Sequence, residues 1–265
     1  MPPGEINSLL PRLSYLSLMP FDSLTSASVP SSQTPIFPDY KLWIFDLDGT
    51  LIDSRLDLVY AVNATLAHLK LPTLESDLVL SFVGDGAEDL LLRSLEAAGV
   101  PADEAHQMLA PTLKWFLDYY GDHCLDYTVP YPGAMELLTR LKGYPMAILT
   151  NKPLKPALKI LEHLGILDRF AHVIPGDGPL GKKPDPTGLA YILTSMNISA
   201  SQAVLVGDSP QDLLTARAAQ CGFIAFLGGL GDTETIVAEG ALSTTPVHPV
   251  NHMSEILTLL DGKAA

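Results

Sequence analysis

Residues 41–54 read Lys41-Leu42-Trp43-Ile44-Phe45-Asp46-Leu47-Asp48-Gly49-Thr50-Leu51-Ile52-Asp53-Ser54, and this stretch decides the fold. Leu42 to Phe45 is a short apolar run that ends in an acidic, glycine-containing turn, the pattern of a buried strand followed by a tight reversal. Similar runs recur at Met146 to Leu149, Ala171 to Ile174, Ala203 to Val206 and Phe223 to Leu227. Helical patterns lie between most of them, at Ala134 to Leu141, Leu154 to Leu164, Thr187 to Met196 and Gln211 to Ala219. Strand and helix therefore alternate, which predicts a parallel sheet covered on both faces.

One interval breaks that rhythm. From Arg55 to Tyr127 the segments Leu56 to Leu69, Glu75 to Phe82, Ala87 to Ala98 and Ala102 to Tyr120 all read as helices. The expected fold is α/β: a Rossmann-like parallel sheet with helices on both faces, and an all-helical module inserted after the first strand. The boundaries that follow are a core of 41–54 and 129–265, a helical insertion of 55–128, and an N-terminal extension of 1–40. That extension holds seven of the 22 prolines, eight serines and a single basic residue, Arg12, with poor periodicity, and reads as flexible. It lacks the basic start and uninterrupted apolar centre of an export signal.

The chain's 265 residues are 47% hydrophobic and 17% charged, a composition that can bury a sizeable core. Sixteen Lys and Arg against 30 Asp and Glu give a formal charge of −14, which argues against a grip on nucleic acid or on an anionic membrane. Cys124 and Cys221 have neither metal-ligand nor disulfide-framework spacing, so a reducing cytoplasm fits best. The longest mostly apolar run, Gly222 to Gly231, is about half the ~20 residues of a membrane helix.

In an open parallel sheet, ligands sit beyond the carboxyl ends of the strands. After the first run stand Asp46 and Asp48; after the second, Thr150 and Asn151; after the run ending at Val206, Asp208 with Asp212 four residues on. Lys183, in Lys183-Pro184-Asp185-Pro186, adds a cation. Each has an ordinary reading: Asp48-Gly49 as a turn, Thr150 as an N-cap, Asp212 as an acid placed by the helix dipole. Four carboxylates gathered at one sheet edge, however, repel unless a divalent cation and a lysine neutralise them. Oxygen-only ligands point to a hard ion, Mg²⁺, which keeps waters and binds substrate phosphate. Phosphoryl chemistry follows: one carboxylate can attack phosphorus while another, two residues on, protonates the leaving oxygen and then activates water.

Asp46-Leu47-Asp48-Gly49-Thr50-Leu51, Thr150-Asn151, Lys183-Pro184 and Gly207-Asp208-Ser209-Pro210-Gln211-Asp212 resemble, in order and context, the motifs of the haloacid dehalogenase-like hydrolases. The likeness covers nearly everything after residue 40. Val83-Gly84-Asp85-Gly86-Ala87, Pro130-Tyr131-Pro132-Gly133 and Thr150-Asn151-Lys152-Pro153 are most similar to the phosphoglycolate phosphatase group. The resemblance implies Asp46 as nucleophile and metal ligand, Asp48 as general acid/base with its carbonyl on the metal, and Asp208 as the third ligand. It implies that Thr150 and the Asn151 backbone hold the phosphoryl group, that Lys183 offsets charge, and that Asp212 serves the metal site or orients Lys183. Lys182, outside the Lys-Pro-x-Pro pattern, reads as a solvated neighbour.

The insertion takes the place of that family's cap, a lid that excludes water and adds substrate contacts. From Arg55 to Tyr127 it carries twelve acids against four bases, Arg55, Lys70, Arg93 and Lys114, so a substrate carboxylate needs one specific cation. Arg93 matches a basic position of the phosphoglycolate phosphatase group and is the candidate. Gly84 and Gly86 would let the cap backbone approach the substrate. The expected partner is a small phosphorylated metabolite, and the expected assembly a monomer or homodimer. Asp48 counts against dehalogenase and phosphonate-cleaving chemistry, which have no job for a second acid. A sugar phosphomutase and an inactive binding module remain as alternatives.

Overall fold

The computed structural model describes residues 39–261. Its main sheet has six parallel strands: β1 (Leu42–Phe45), β4 (Met146–Leu149), β5 (His172–Ile174), β6 (Ala203–Gly207), β7 (Gly222–Phe226) and β8 (Val247–Val250). Their spatial order is β5-β4-β1-β6-β7-β8. Central β1 pairs with β4 through Ile44 opposite Ala147 and with β6 through Ile44 opposite Leu205. Every residue of β1 is buried, because alternate side chains serve two cores. Trp43 and Phe45 enter one with Met146, Ile148, Val204 and Val206; Leu42 and Ile44 enter the other with Ala147, Leu149 and Leu205. The first core is closed by helices α5 (Ala134–Arg140), α6 (Leu154–His163) and α10 (Met253–Asp261), the second by α7 (Thr187–Met196), α8 (Pro210–Ala218) and α9 (Thr233–Gly240). This is the expected parallel sheet with helices on both faces.

Four helices, α1 (Arg55–His68), α2 (Ser76–Leu80), α3 (Ala87–Ala97) and α4 (Ala102–His123), interrupt the core after β1. The chain enters and leaves them through a small antiparallel ribbon of β2 (Ile52–Asp53) and β3 (Val129–Pro130), which brings the two crossings side by side. Asp57, 2% exposed, ties the exit to the start of α1 by accepting from the backbone N–H of Tyr127 (3.0 Å) and Thr128 (2.9 Å) and from the Thr128 hydroxyl (2.7 Å). A buried carboxylate with this many donors is held in one orientation and fixes the crossing geometry.

Several details differ from the sequence expectation. β8 lies outside the expected strands; its Val-His-Pro-Val carries a proline, but as the edge strand it has one side without ladder partners, where a missing N–H is tolerated. The β2/β3 ribbon, α9 and α10 were also not anticipated; α2 is shorter than expected, and α4 continues through Pro111 to His123. Tyr40, assigned to the extension, belongs to the core: it is 2% exposed, stacks edge-on to Trp43 at 6.2 Å, and its hydroxyl lies where a side chain on Gly222 would stand. The rest of the expected extension, residues 1–38, lies outside the described residues. No helix among the described residues is long and apolar enough to cross a membrane. Cys124 and Cys221 are both buried and free.

Candidate active site

The carboxyl ends of β1, β4 and β6 converge on one pocket, as parallel strands must when their following turns carry polar residues. Asp46, Asp48, Thr150, Asn151 and Asp208 line it from the core, and Gly84 and Gly86 line it from the insertion. The turn after Asp48 is made by Gly49, at φ +83, and a Cβ there would stand 2.1 Å from an oxygen of Asp208, so glycine is required both for conformation and for space.

Lys183 and Asp212 form the layer behind Asp46. The Lys183 ammonium, 1% exposed, sits 2.8 Å from Asp46 Oδ1 and donates to Asp212 Oδ1 at 2.6 Å. Asp212 is the N3 residue of α8, and its other oxygen accepts from the backbone N–H (3.1 Å) and hydroxyl (2.6 Å) of the N-cap Ser209, closing a capping box. Asp212 thus caps α8 and pairs with Lys183 at once, and both of its oxygens are engaged. Asp208 accepts from the Thr50 hydroxyl at 2.6 Å and from the backbone N–H groups of Leu230 (2.8 Å) and Gly231 (3.1 Å). Thr150 is not an N-cap: α6 is capped at Pro153, and the Thr150 hydroxyl instead accepts from the Lys152 N–H at 3.2 Å.

The electrostatics are those of a crowded anionic cluster. Burial pushes the Asp46 carboxyl up to about 6, Lys183 opposing and Asp212 adding to the rise. Burial pushes Asp208 up to about 7, with Asp46 and Asp212 reinforcing it. Burial works against the Lys183 ammonium, but Asp212 and Asp46 outweigh it and raise its proton affinity above the ordinary lysine value. One lysine does not neutralise three buried carboxylates. Oxygens of Asp46, Asp208 and Asp212 lie within 4.8 Å of one another, and Asp46 Oδ1 is buried with no hydrogen-bond partner apart from the Lys183 ammonium beside it. This donor set, all oxygen and carrying surplus negative charge, fits a hard divalent cation.

Sequence reasoning missed Lys152. It is buried, its ammonium donating to both oxygens of Asp48 (2.8 and 3.0 Å) and to the hydroxyl of Tyr120 on α4 (2.5 Å). Burial again opposes its charge, and Asp48 and Tyr120 restore it and more. The available signal was its place two residues after Thr150, at the carboxyl end of a central strand. The glycine-rich loop after β7, which supplies Leu230 and Gly231 to the pocket, was missed as well.

Other expectations are redistributed. Arg93 does not line the pocket; its side chain is 45% exposed and pairs with Asp85 at 2.8 Å. Lys182 is no mere solvated neighbour, since it donates to the Asp85 carbonyl at 2.8 Å and pairs with the Asp89 carboxylate. Asp85 also accepts from Gln211 Nε2 at 2.5 Å, and Asn151 Nδ2 donates to the Gly84 carbonyl at 2.8 Å and to the Lys183 carbonyl at 3.0 Å. The 83–87 loop is therefore clasped onto the core from three directions. Gly86, at φ +91, passes so close that a Cβ would meet the Asn151 carbonyl oxygen at 3.3 Å, which makes the core backbone a neighbour it must clear.

The family model of the haloacid dehalogenase-like hydrolases matches residues 43–226, a span that contains every side chain of this site except Leu230 and Gly231. The chain belongs to that family. Among curated relatives, the phosphoglycolate phosphatase of Rhodospirillum rubrum is 40% identical over 207 residues, covering 77% of this chain and 86% of its own. That of Chromobacterium violaceum is 36% identical over 206 residues, covering 75% and 90%. A solved structure described as a predicted phosphoglycolate phosphatase from Haemophilus somnus superposes with a TM-score of 0.74 at 29% identity, covering 84% of this chain and 99% of that one. This haloacid dehalogenase-like hydrolase is accordingly a phosphatase, similar to the phosphoglycolate phosphatases.

Proposed function

We propose that this phosphatase hydrolyses small phosphomonoesters, 2-phosphoglycolate foremost, with Mg²⁺ as cofactor and an aspartyl phosphate on Asp46 as intermediate. The observation that carries the reading is the pairing of Asp46 with Lys183 at 2.8 Å beside Asp208, in a pocket that Asp48 lines from the same turn. Asp46, Asp208 and the Asp48 carbonyl would hold the cation, with Asp212 behind them. When bound, it neutralises the carboxylate cluster and polarises the phosphoryl oxygens.

Asp46 attacks phosphorus as the ester P–O bond breaks, and Asp48 gives its proton to the departing alcohol oxygen. Asp48 then takes a proton from water, which attacks the aspartyl phosphate, releases inorganic phosphate and regenerates the Asp46 carboxylate. Lys183 holds Asp46 in place and offsets charge between it and the phosphoryl oxygens. Thr150 and the backbone of Asn151 orient the phosphoryl group. Residues 55–128 act as the cap over a core of 41–54 and 129–265, and the clasp on the 83–87 loop supports a closed, water-excluding state. Free buried thiols support a reducing compartment, and we place the enzyme in the cytoplasm.

Phosphate release from a panel of 2-phosphoglycolate, sugar phosphates, nucleotides and pyrophosphate, with and without Mg²⁺, tests the reading. The expected result is a metal-dependent reaction with the highest kcat/KM for 2-phosphoglycolate, and at least a hundredfold loss of kcat in Asp46→Asn. Full activity of that variant, or of wild type after exhaustive chelation, would overturn it.

A further inference from the structure

Lys152 has no role in the mechanism above, yet it is the one cationic side chain lining the pocket among the described residues. Leu58, Val83, Leu90, Phe116 and Pro153 make the adjoining wall apolar. The basic residues of the insertion are elsewhere: Arg55 pairs with Asp53, Arg93 with Asp85 and Lys114 with Asp118, and neither they nor Lys70 line the pocket. An anionic group on the leaving half of a substrate therefore meets Lys152. Beside it stands the hydroxyl of Tyr120, which accepts from Lys152 and so keeps its own hydrogen to donate.

The partner that Lys152 holds is the one the reaction needs. Asp48 spends both oxygens on the ammonium, and Ser54 donates to one of them at 2.5 Å. To serve a leaving oxygen as an acid, the Asp48 carboxylate has to turn away from Lys152 and take up a proton from solvent. That leaves a 1% exposed ammonium without its counter-ion, which is strongly unfavourable in a buried site. A leaving alcohol that carries its own carboxylate removes this penalty by taking the place of Asp48; a neutral alcohol cannot.

We propose that Lys152, with the Tyr120 hydroxyl, is the anion subsite that selects phosphomonoesters bearing a carboxylate on the leaving alcohol, the substrate carboxylate taking over the ion pair that Asp48 makes in the free enzyme. The subsite joins the core to the cap, since Lys152 follows β4 and Tyr120 stands on α4. It rests on the phosphomonoesterase reading and adds to it the residue that decides among esters.

The test compares 2-phosphoglycolate with 2-hydroxyethyl phosphate, a neutral analogue of similar size, in wild type, Lys152→Met and Tyr120→Phe. The ratio of the two kcat/KM values cancels any damage to Asp48 or to cap closure that both substrates share. Lys152→Met is expected to lower that ratio about ten- to a hundredfold, as for a lost charge-assisted hydrogen bond, and Tyr120→Phe about three- to tenfold. Calorimetric titration of 2-phosphoglycolate into Asp46→Asn, with and without Lys152→Met, should show the same loss in affinity without turnover. Equal losses for both esters, or a wild type indifferent to the carboxylate, would overturn the inference and leave the phosphatase reading intact. A wild type that releases phosphate from no ester of the wider panel would instead defeat the underlying reading, and the inference with it. Should Lys152→Met fail to fold, the ratio in Tyr120→Phe decides alone, an unchanged ratio counting against the subsite.

Discussion

Asp48 illustrates how one carboxylate is given two demands. In the structure it is clamped by Lys152 and Ser54, while the proposed chemistry asks it to serve the leaving oxygen. Asp48→Asn is therefore expected to slow an alkyl phosphate at least ten times more than p-nitrophenyl phosphate, because a good leaving group needs little protonation. Equal losses, measured as kcat/KM for the two esters, would refute the acid role. Asp46, Asp48, Asp208 and Lys183 were legible in the sequence because Asp46 and Asp208 directly follow apolar strands, Asp48 stands in the turn after the first, and Lys183 sits in a proline-flanked motif. Arg93 and Lys152 were not. Whether a basic side chain faces a pocket or a neighbouring acid depends on partners distant in the chain: Lys152 is defined by Asp48, 104 positions earlier, and by Tyr120, 32 positions earlier.

Helix α8 shows that a structural device and a site residue can be the same atoms. Asp212 completes the capping box with Ser209 and at the same time holds Lys183. Asp212→Ala removes the reciprocal cap, worth about 1 kcal/mol, and leaves the buried Lys183 with Asp46 as its remaining acidic partner, a further cost of about 1–3 kcal/mol. The urea midpoint should fall accordingly, with a loss of turnover; an unchanged midpoint would show that neither contact matters to stability. The 83–87 loop is the second such element. Gly86→Ala puts a Cβ at 3.3 Å from the Asn151 carbonyl in a left-handed conformation that alanine disfavours. Because the strain falls where the loop meets the core, kcat/KM should drop severalfold for charged and neutral esters alike while the melting temperature of the protein moves by no more than about 4 °C. A selective loss for one ester would contradict a purely closing role for this loop.

At the scale of the whole molecule, the buried acids should make stability depend on pH and on an added divalent cation. Asp46 and Asp208 hold their protons up to about 6 and about 7, above the ordinary carboxylate range. Groups raised in this way bind more protons in the folded than in the unfolded chain between about pH 4 and pH 7, so their contribution to stability is greatest below that window and is lost as pH rises through it. In chelator, the cluster should therefore contribute a melting temperature several degrees higher at pH 5.5 than at pH 7.5. Millimolar Mg²⁺ should stabilise chiefly at pH 7.5, where the carboxylates are ionised, and flatten the dependence. The difference between the two curves isolates the cluster from groups such as His248, and identical curves would argue against a cation at these acids. The sequence by itself determined the parallel sheet, the helical insertion after β1 and the acids that line the pocket, because apolar runs of strand length and the residues that end them are local properties of the chain. Only the tertiary structure decided which cation lines the pocket, that Lys182 and Asn151 clasp the 83–87 loop, and that Tyr40 belongs to the core. Those outcomes are set by contacts between segments tens of residues apart, whose energies arise when burial removes the water that would otherwise satisfy each charge separately.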